Sequence, residues 1–348
     1  MIDYQNAIIE KISIHFVGNQ NLGEQLRFSS EPVDVSDDIL KEILIKYFLS
    51  SFNGTEYFSF SSPDEDLSIN PMYKYSNEVF TKKEDFHQTS KKIATHLYES
   101  SEHPYIKSGD LFVVYFSEIC VVDEIVEAIG VFKSETKQSF LRLDESDNKY
   151  KINHLTGIDI NKLDKGCIIF NTFQDTGYKV CIVDKSGKSK EAHYWKDDFL
   201  NIHPCDDEYH RTKGFLEMTK ESVTNQMAKD YGLPRTDQID YLNKSMDYFK
   251  NHEDFDRGEF EKEIFANPDI IDSFRDFDTA YTAPNPANSY ENFNISPHAV
   301  KKSSAIYKSV LKLDKNFHVY IHGNRNWIER GTERDGRKYY KLYYENEM

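Results

Sequence analysis

Residues 157–171 read GIDINKLDKGCIIFN, and the fold follows from how that stretch is parsed. Its first half is turn chemistry: Asn161, Lys162, Asp164, Lys165 and Gly166 run into a short apolar strand over 167–170. A second apolar run, 178–183, is rich in β-branched residues and is reached through the turn signal Asp175-Thr176-Gly177. The two runs spell a hairpin buried on at least one face. Trp195 then opens a short amphipathic piece over 195–202, whose Asp197 and Asp198 suit a helix start.

Working outward, residues 110–116, 119–122, 125–132 and 139–143 are the densest strand candidates, expected to form one sheet with the hairpin. Ile8, Ile9, Ile12 and Ile14 within residues 2–16 open the chain as a short strand or a helix-to-strand start, and Gly18-Asn19-Gln20-Asn21 marks a turn. Ser36 is expected to cap a helix in which Ile39, Leu40, Ile43, Leu44, Tyr47 and Phe48 share a face, with Asp37 and Asp38 at its N-terminus. A second helix is expected over 79–100, with Ile93, Ala94 and Leu97 on its apolar side. Two helices covering a mixed or antiparallel sheet make residues 1–205 an α+β domain.

After Pro204 the pattern turns helical. Residues 211–231 align Phe215, Met218, Val223 and Met227, and the helix ends at Gly232 and Pro234. Thr236 is expected to cap the next, carrying Ile239, Leu242, Met246 and Phe249; shorter helices follow over 256–265 and 268–281. Residues 282–294, with Pro284 and Pro286, read as a linker. Beyond it, alternation over 308–313 and at Phe317, Val319 and Ile321, a turn at Asn324, the type I′ signal Asp335-Gly336 and a strand over 338–344 predict a basic β-meander. The second domain, 206–348, is therefore a helical region ending in that meander.

A chain of 348 residues has room for one large or two medium domains. Mean hydropathy is −0.68, yet 24 Phe and 23 Tyr supply ample apolar mass, which describes a folded and heavily charged chain. No apolar run approaches the ~18 residues of a membrane helix. The opening MIDYQNAIIEKISIHF carries acids and no small-residue cleavage site, so a cytoplasmic protein is expected. Cys120, Cys167, Cys181 and Cys205 are widely spaced without C-x-x-C, which points to buried free thiols. The net charge of −16 is unevenly placed. From Lys301 to Met348, 11 Lys and Arg stand against 6 Asp and Glu, a net of +5, which leaves −21 on the rest.

That basic segment interleaves Arg325, Arg330, Arg334, Arg337, Lys338 and Lys341 with Trp327, Tyr339, Tyr340, Tyr343 and Tyr344. Cations neutralise phosphates and rings stack on exposed bases, which makes it the candidate DNA-binding surface. The plain alternative is a solvated sheet face whose lysines guard an edge strand. No metal or cofactor is expected. His318 and His322 stand about 13 Å apart along a strand, and His203, Cys205 and His210 lack a second ligand pair.

An enzymatic alternative rests on Glu135-Thr136-Lys137, with Asp123 and Glu127 upstream, which is similar to the metal-binding core of PD-(D/E)xK nucleases. E-x-K is common by chance, and the accompanying proline-aspartate is missing. P-loop, G-x-S-x-G and H-E-x-x-H motifs do not occur, so a non-enzymatic protein is expected.

The succession of KSETK (133–137), GIDINKLDKGCIIFN, the hairpin and YWKDDFL (194–200) resembles the bacterial nucleoid-associated protein family of the NdpA/YejK kind, in the branch found in Bacteroidota-type bacteria. The likeness extends from IIEKISIHFVGN (8–19) to KLDKNFHVYIHGNRNW (312–327). It implies a nucleoid protein that meets DNA directly or through a DNA-bound protein; at least one member is linked to a type II topoisomerase. It carries over no catalytic residues. With −21 outside the basic segment, contact with bare DNA is expected to be weak or indirect. The partners open to the chain include a second copy of itself, as a homodimer.

Overall fold

Lys165–Phe170 of the opening stretch is buried at every position, deep in a nine-stranded antiparallel sheet. The computed structural model describes residues 2–52, 56–62, 66–121, 124–146, 149–185, 194–283, 290–304, 307, 310–313, 316–321 and 327–346. The chain divides into two compact units, Met1–Cys205 and Asp206–Met348.

In chain order the first unit holds β1 (Ile2–Asp3), β2 (Ile8–Val17), β3 (Arg27–Phe28), α1 (Asp38–Leu49), β4 (Phe58–Phe60), α2 (Pro71–Thr81) and α3 (Phe86–Glu99). It continues with β5 (Gly109–Val121), β6 (Glu124–Ser134), β7 (Lys137–Ser146), β8 (Lys149–Ile158), β9 (Lys165–Phe170) and β10 (Lys179–Asp184). A π-helical turn (Tyr194–Leu200) and β11 (Ile202–Pro204) close it. The sheet order is β11-β4-β10-β9-β6-β5-β2-β3, with β1 also on β5.

Both faces of this sheet are covered, which explains why β9 reads as an unbroken apolar run instead of alternating. Ile129, Val131, Cys167 and Ile169 face α2, α3 and the π-helical turn, where Trp195 and Phe199 are fully buried. Ile168, Phe170 and Phe132 face α1, whose Phe48 ring stacks on Phe132 at 4.5 Å. The β9–β10 connection runs through Gly177, whose φ is 95° and where an added Cβ would meet the Phe60 carbonyl oxygen at 2.5 Å, so no side chain is admitted.

Several expectations need correction. The N-cap of α1 is Asp37, whose Oδ1 accepts from the Ile39 and Leu40 amides, and not Ser36. The helix expected over 79–100 is two helices. Asn70 caps α2 ahead of Pro71, and a 3-10 turn at Lys83–Asp85 separates α2 from α3 without any Gly or Pro to announce it. β5 is one strand and not two, bulged where Glu118 takes φ 57°. Residues 139–143 do not join the sheet; β7 pairs with β8 alone as a two-stranded ribbon of ten rungs, Lys137↔Ile158 to Ser146↔Lys149.

The second unit holds α4 (Glu208–Glu221), a π-helical turn (Ser222–Gln226), α5 (Met227–Asp230), α6 (Arg235–Asn251), β12 (Asp254–Asp256), α7 (Arg257–Ile264) and α8 (Pro268–Thr282). Then come β13 (Asn292–Asn294), α9 (Pro297–Ser304), β14 (Val310–Leu313), β15 (Phe317–Tyr320), β16 (Ile328–Thr332) and β17 (Lys338–Leu342). Pro234, and not Thr236, is the N-cap residue of α6. An aromatic core gathers around Phe215, ringed by Phe249, Phe255, Phe260, Phe274 and Tyr290. Among the described residues the terminal strands make two hairpins, β14–β15 and β16–β17, with no ladder joining them into one meander. No helix among the described residues is long and apolar enough to cross a membrane.

Candidate functional site

The terminal hairpin β16–β17 pairs Ile328 with Leu342, Arg330 with Tyr340 and Thr332 with Lys338. Alternation puts these six side chains on one face and Glu329, Tyr339 and Lys341 on the other. Tyr339 lies over Gly331, where an added Cβ would come within 2.2 Å of its ring. Of the turn residues only Gly336 has positive φ, 87°, and the Gly336 amide donates to the Glu333 carbonyl at 2.9 Å. A type I′ turn needs two positive φ values, so Arg334 and Asp335 form a type I turn closed by a glycine bulge.

The predicted basic residues divide into two groups. Arg337 Nε donates to Asp335 at 2.7 Å, and Lys341 pairs with Glu329 at 3.5 Å. Arg330, Arg334 and Lys338 are exposed and carry no ion pair among the described residues. Arg334 lies in the turn, Lys338 opens β17 and Arg330 stands mid-strand on β16; with Arg337, and against Glu333 and Asp335, residues 330–338 carry a net of +2, so the hairpin has a cationic tip. Arg325 lies outside the described residues. Tyr340 is not free to stack on a base: with Ile328 it packs against the cluster of Ile239, Leu311 and Ile321. Trp327, Tyr339, Tyr343 and Tyr344 are exposed.

A second site, which residue patterns did not disclose, lies in the first unit. Lys133 on β6 and Lys165 on β9 are directly opposite in register, and Asp184 on β10 is opposite Lys165. They continue the face that carries Val131 and Cys167, so the sheet's apolar face ends in a buried row of charge. The Lys133 and Lys165 side chains are 1% and 4% exposed. Glu135 bridges them, at 3.3 Å from Lys133 and 3.4 Å from Lys165. Lys133 Nζ also donates to the Lys107 carbonyl at 2.6 Å, and Lys165 pairs with Asp184 at 3.4 Å. Both ammonium groups lie 5.7 Å from the centre of the Tyr194 ring. Burial lowers the Lys133 pKa from the usual lysine range and raises that of Tyr194 well above the usual phenol range.

Asp164 organises the adjoining turn. Its Oδ2 accepts from the Glu135 and Thr136 amides at 2.8 and 2.9 Å, and its Oδ1 accepts from Thr136 Oγ1 at 3.0 Å. A cavity of about 220 Å³ opens here, and the exposed lysines Lys107, Lys162 and Lys185 contribute to its wall with Glu135, Asp164 and Lys165. KSETK, GIDINKLDKGCIIFN and YWKDDFL, the three central stretches of the family resemblance, all meet at this cavity.

The nuclease pair does not converge. Glu135 faces Lys133 and Lys165, whereas Lys137 donates to Asp110 Oδ2. Glu127 is paired with Lys83, and Asp123 lies outside the described residues. The histidine candidates are also apart: His203 Nε2 meets Ser59 Oγ at 3.4 Å, and His210 Nδ1 meets Asp207 at 3.0 Å. His318 is exposed and His322 lies outside the described residues. Among the described residues no three His, Cys, Asp or Glu side chains stand close enough to hold a metal ion.

Fold and surface thus define an α+β protein built on an antiparallel sheet, whose second unit ends in a hairpin with a cationic tip. The family model described as nucleoid-associated protein YejK matches residues 13–338, and the chain belongs to that family. No curated protein matches the chain.

Proposed function

We propose that this protein is a non-enzymatic nucleoid component. It touches DNA weakly through the tip of the β16–β17 hairpin and is held more firmly by a protein partner of the kind a type II topoisomerase subunit represents. The observation that carries the DNA contact is the cluster of Arg330, Arg334 and Lys338, exposed and unpaired among the described residues, at one end of a chain that is otherwise strongly acidic. Three such cations neutralise few phosphates, so affinity is low and falls steeply with salt.

Titration against duplex and single-stranded DNA at several salt concentrations tests the contact. Changing Arg325, Arg330, Arg334 and Arg337 to Glu together weakens binding and flattens its salt dependence. The triple variant R330E/R334E/K338E shows most of the same loss, lowering the salt slope by about one for each phosphate contact removed. Arg337→Glu alone does little, because that guanidinium is already held by Asp335. Unchanged affinity in a folded quadruple variant rules this surface out.

The partner reading is supported by the family and by the β7–β8 ribbon. Leu141, Leu143, Tyr150 and Ile152 share one of its faces and are from 63% (Leu143) to 74% (Leu141) exposed. They make an apolar patch on the order of a few hundred Å², the size at which exposed patches mark interaction sites.

A further inference from the structure

We propose that the cavity beside Lys133 and Lys165 receives the dianionic head of a phosphate monoester. This site is separate from the hairpin and does not depend on the hairpin's contact with DNA. Like charges directly across a sheet destabilise it, and here the two lysines are buried as well as opposed, with Glu135 the only carboxylate that contacts both among the described residues. Among the described residues four lysines, Lys107, Lys162, Lys165 and Lys185, line the cavity against two acids, Glu135 and Asp164, and behind it Lys133 on Glu135 and Asp184 on Lys165 add one charge of each sign. In a chain of net charge −16, that local excess of two cations is a reversal of sign.

The acids are also less available than their number suggests. Asp164 spends both oxygens on the turn, accepting from the Glu135 and Thr136 amides and from Thr136 Oγ1. Lys162 stands 4.0 Å from it, and Lys185 Nζ meets only the neutral Ser51 hydroxyl, at 3.4 Å, among the described residues. Lys107 gives its carbonyl to Lys133, while its own ammonium has no ion pair among the described residues. The exposed cations are therefore able to turn onto an incoming anion, and the buried pair supplies charge from below.

Charge and size select the ligand class. A phosphate monoester carries close to two negative charges at neutral pH, matching the local excess, whereas a carboxylate carries one. A cavity of about 220 Å³ corresponds to about seven waters at ~30 Å³ each. That accommodates a phosphate and its first ester atoms while the rest of the molecule stays outside. Such a head occurs on free phosphate esters and at the phosphorylated end of a DNA strand.

Calorimetry and phosphorus NMR on the full chain test this with inorganic phosphate, thymidine monophosphate and two oligonucleotides of one sequence, one phosphate-terminated and one hydroxyl-terminated. Lys165→Ala is a poor first choice because it strands buried Glu135. The exposed pair Lys107→Ala and Lys185→Ala leaves the thermal midpoint unchanged. Together they are expected to weaken phosphate and thymidine monophosphate binding by about tenfold or more. A phosphate-terminated oligonucleotide that outbinds its hydroxyl-terminated twin assigns DNA ends as the source. Equal binding of the two, with thymidine monophosphate still bound and lost in the double variant, assigns a free ester. No heat and no line broadening up to about 10 mM ligand, or undiminished binding by the folded double variant, overturns the proposal.

Discussion

His15 shows how a single side chain ties sheet to helix in this protein. It projects from β2, is 2% exposed, and meets Ser90 Oγ of α3 at 2.9 Å through Nε2. Its Nδ1 accepts from the Ser29 amide at 3.3 Å, so the neutral ring carries its proton on Nε2. Burial, with His87 and Lys91 adding repulsion, lowers its pKa from 6.5 to about 4. Between those values the unfolded chain binds a proton that the folded chain refuses. The contribution of His15 to stability is therefore intact above pH 6.5 and is lost as pH falls toward about 4. Denaturant titrations at stepped pH should show this loss, and His15→Gln should reduce the slope across that window; an unchanged slope excludes His15 as its source. The sequence shows His15 only as an alternating position in a strand, because Ser90 is 75 positions away. The charged row is hidden for the same reason. Asp164 and Lys165 are legible as turn residues, but Glu135 lies 30 positions from Lys165 and its place between two lysines depends on strand register.

At the scale of elements, the β9–β10 hairpin was legible because a short apolar run bounded by turn residues has few other solutions. Periodicity says less about what covers a strand. The β7–β8 pattern is sound as a strand pattern, yet its partners lie within the ribbon, and nothing in Leu141 or Leu143 as letters distinguishes a core face from a bare one. The α2–α3 break was missed because Lys82 and the 3-10 turn after it contain no breaker residue. Tyr340 and Tyr339 looked equivalent until alternation sent one into the Ile239 cluster and left the other over Gly331. The bare ribbon face leads to a prediction at this scale. Leu143 and Ile152 are directly opposite and exposed, so L143K/I152E, which sets opposite and not like charges across the ribbon, should change stability by less than about 1 kcal/mol. The same variant should lose the protein partner in a pull-down. Sedimentation distinguishes the competing occupant: a wild-type dimer that becomes monomeric in the variant would mean that a second copy covers this face.

For the whole molecule, the balance between direct binding and recruitment is set by charge. A net of −21 outside the last 48 residues repels a duplex within about a Debye length, ~8 Å at physiological salt. Against it stand a hairpin tip with Arg330, Arg334 and Lys338 and whatever single phosphate terminus the cavity holds. Neither supports a long run of neutralised phosphates, and long runs are what give tight non-specific binding its strength. The same acidic surface attracts a basic protein, and the ribbon offers an apolar face on which such a protein can be held after encounter. Weak, steeply salt-sensitive affinity for bare DNA is therefore expected, together with attachment through a protein that outlasts the DNA. Pull-down from lysate before and after exhaustive nuclease treatment measures this, with bare-DNA affinity determined in parallel at physiological salt. Retention of a topoisomerase-type partner after the DNA is gone supports recruitment. If every co-purifying protein leaves with the DNA and bare-DNA binding is tight, the acidic surface does not govern association and recruitment is the wrong reading.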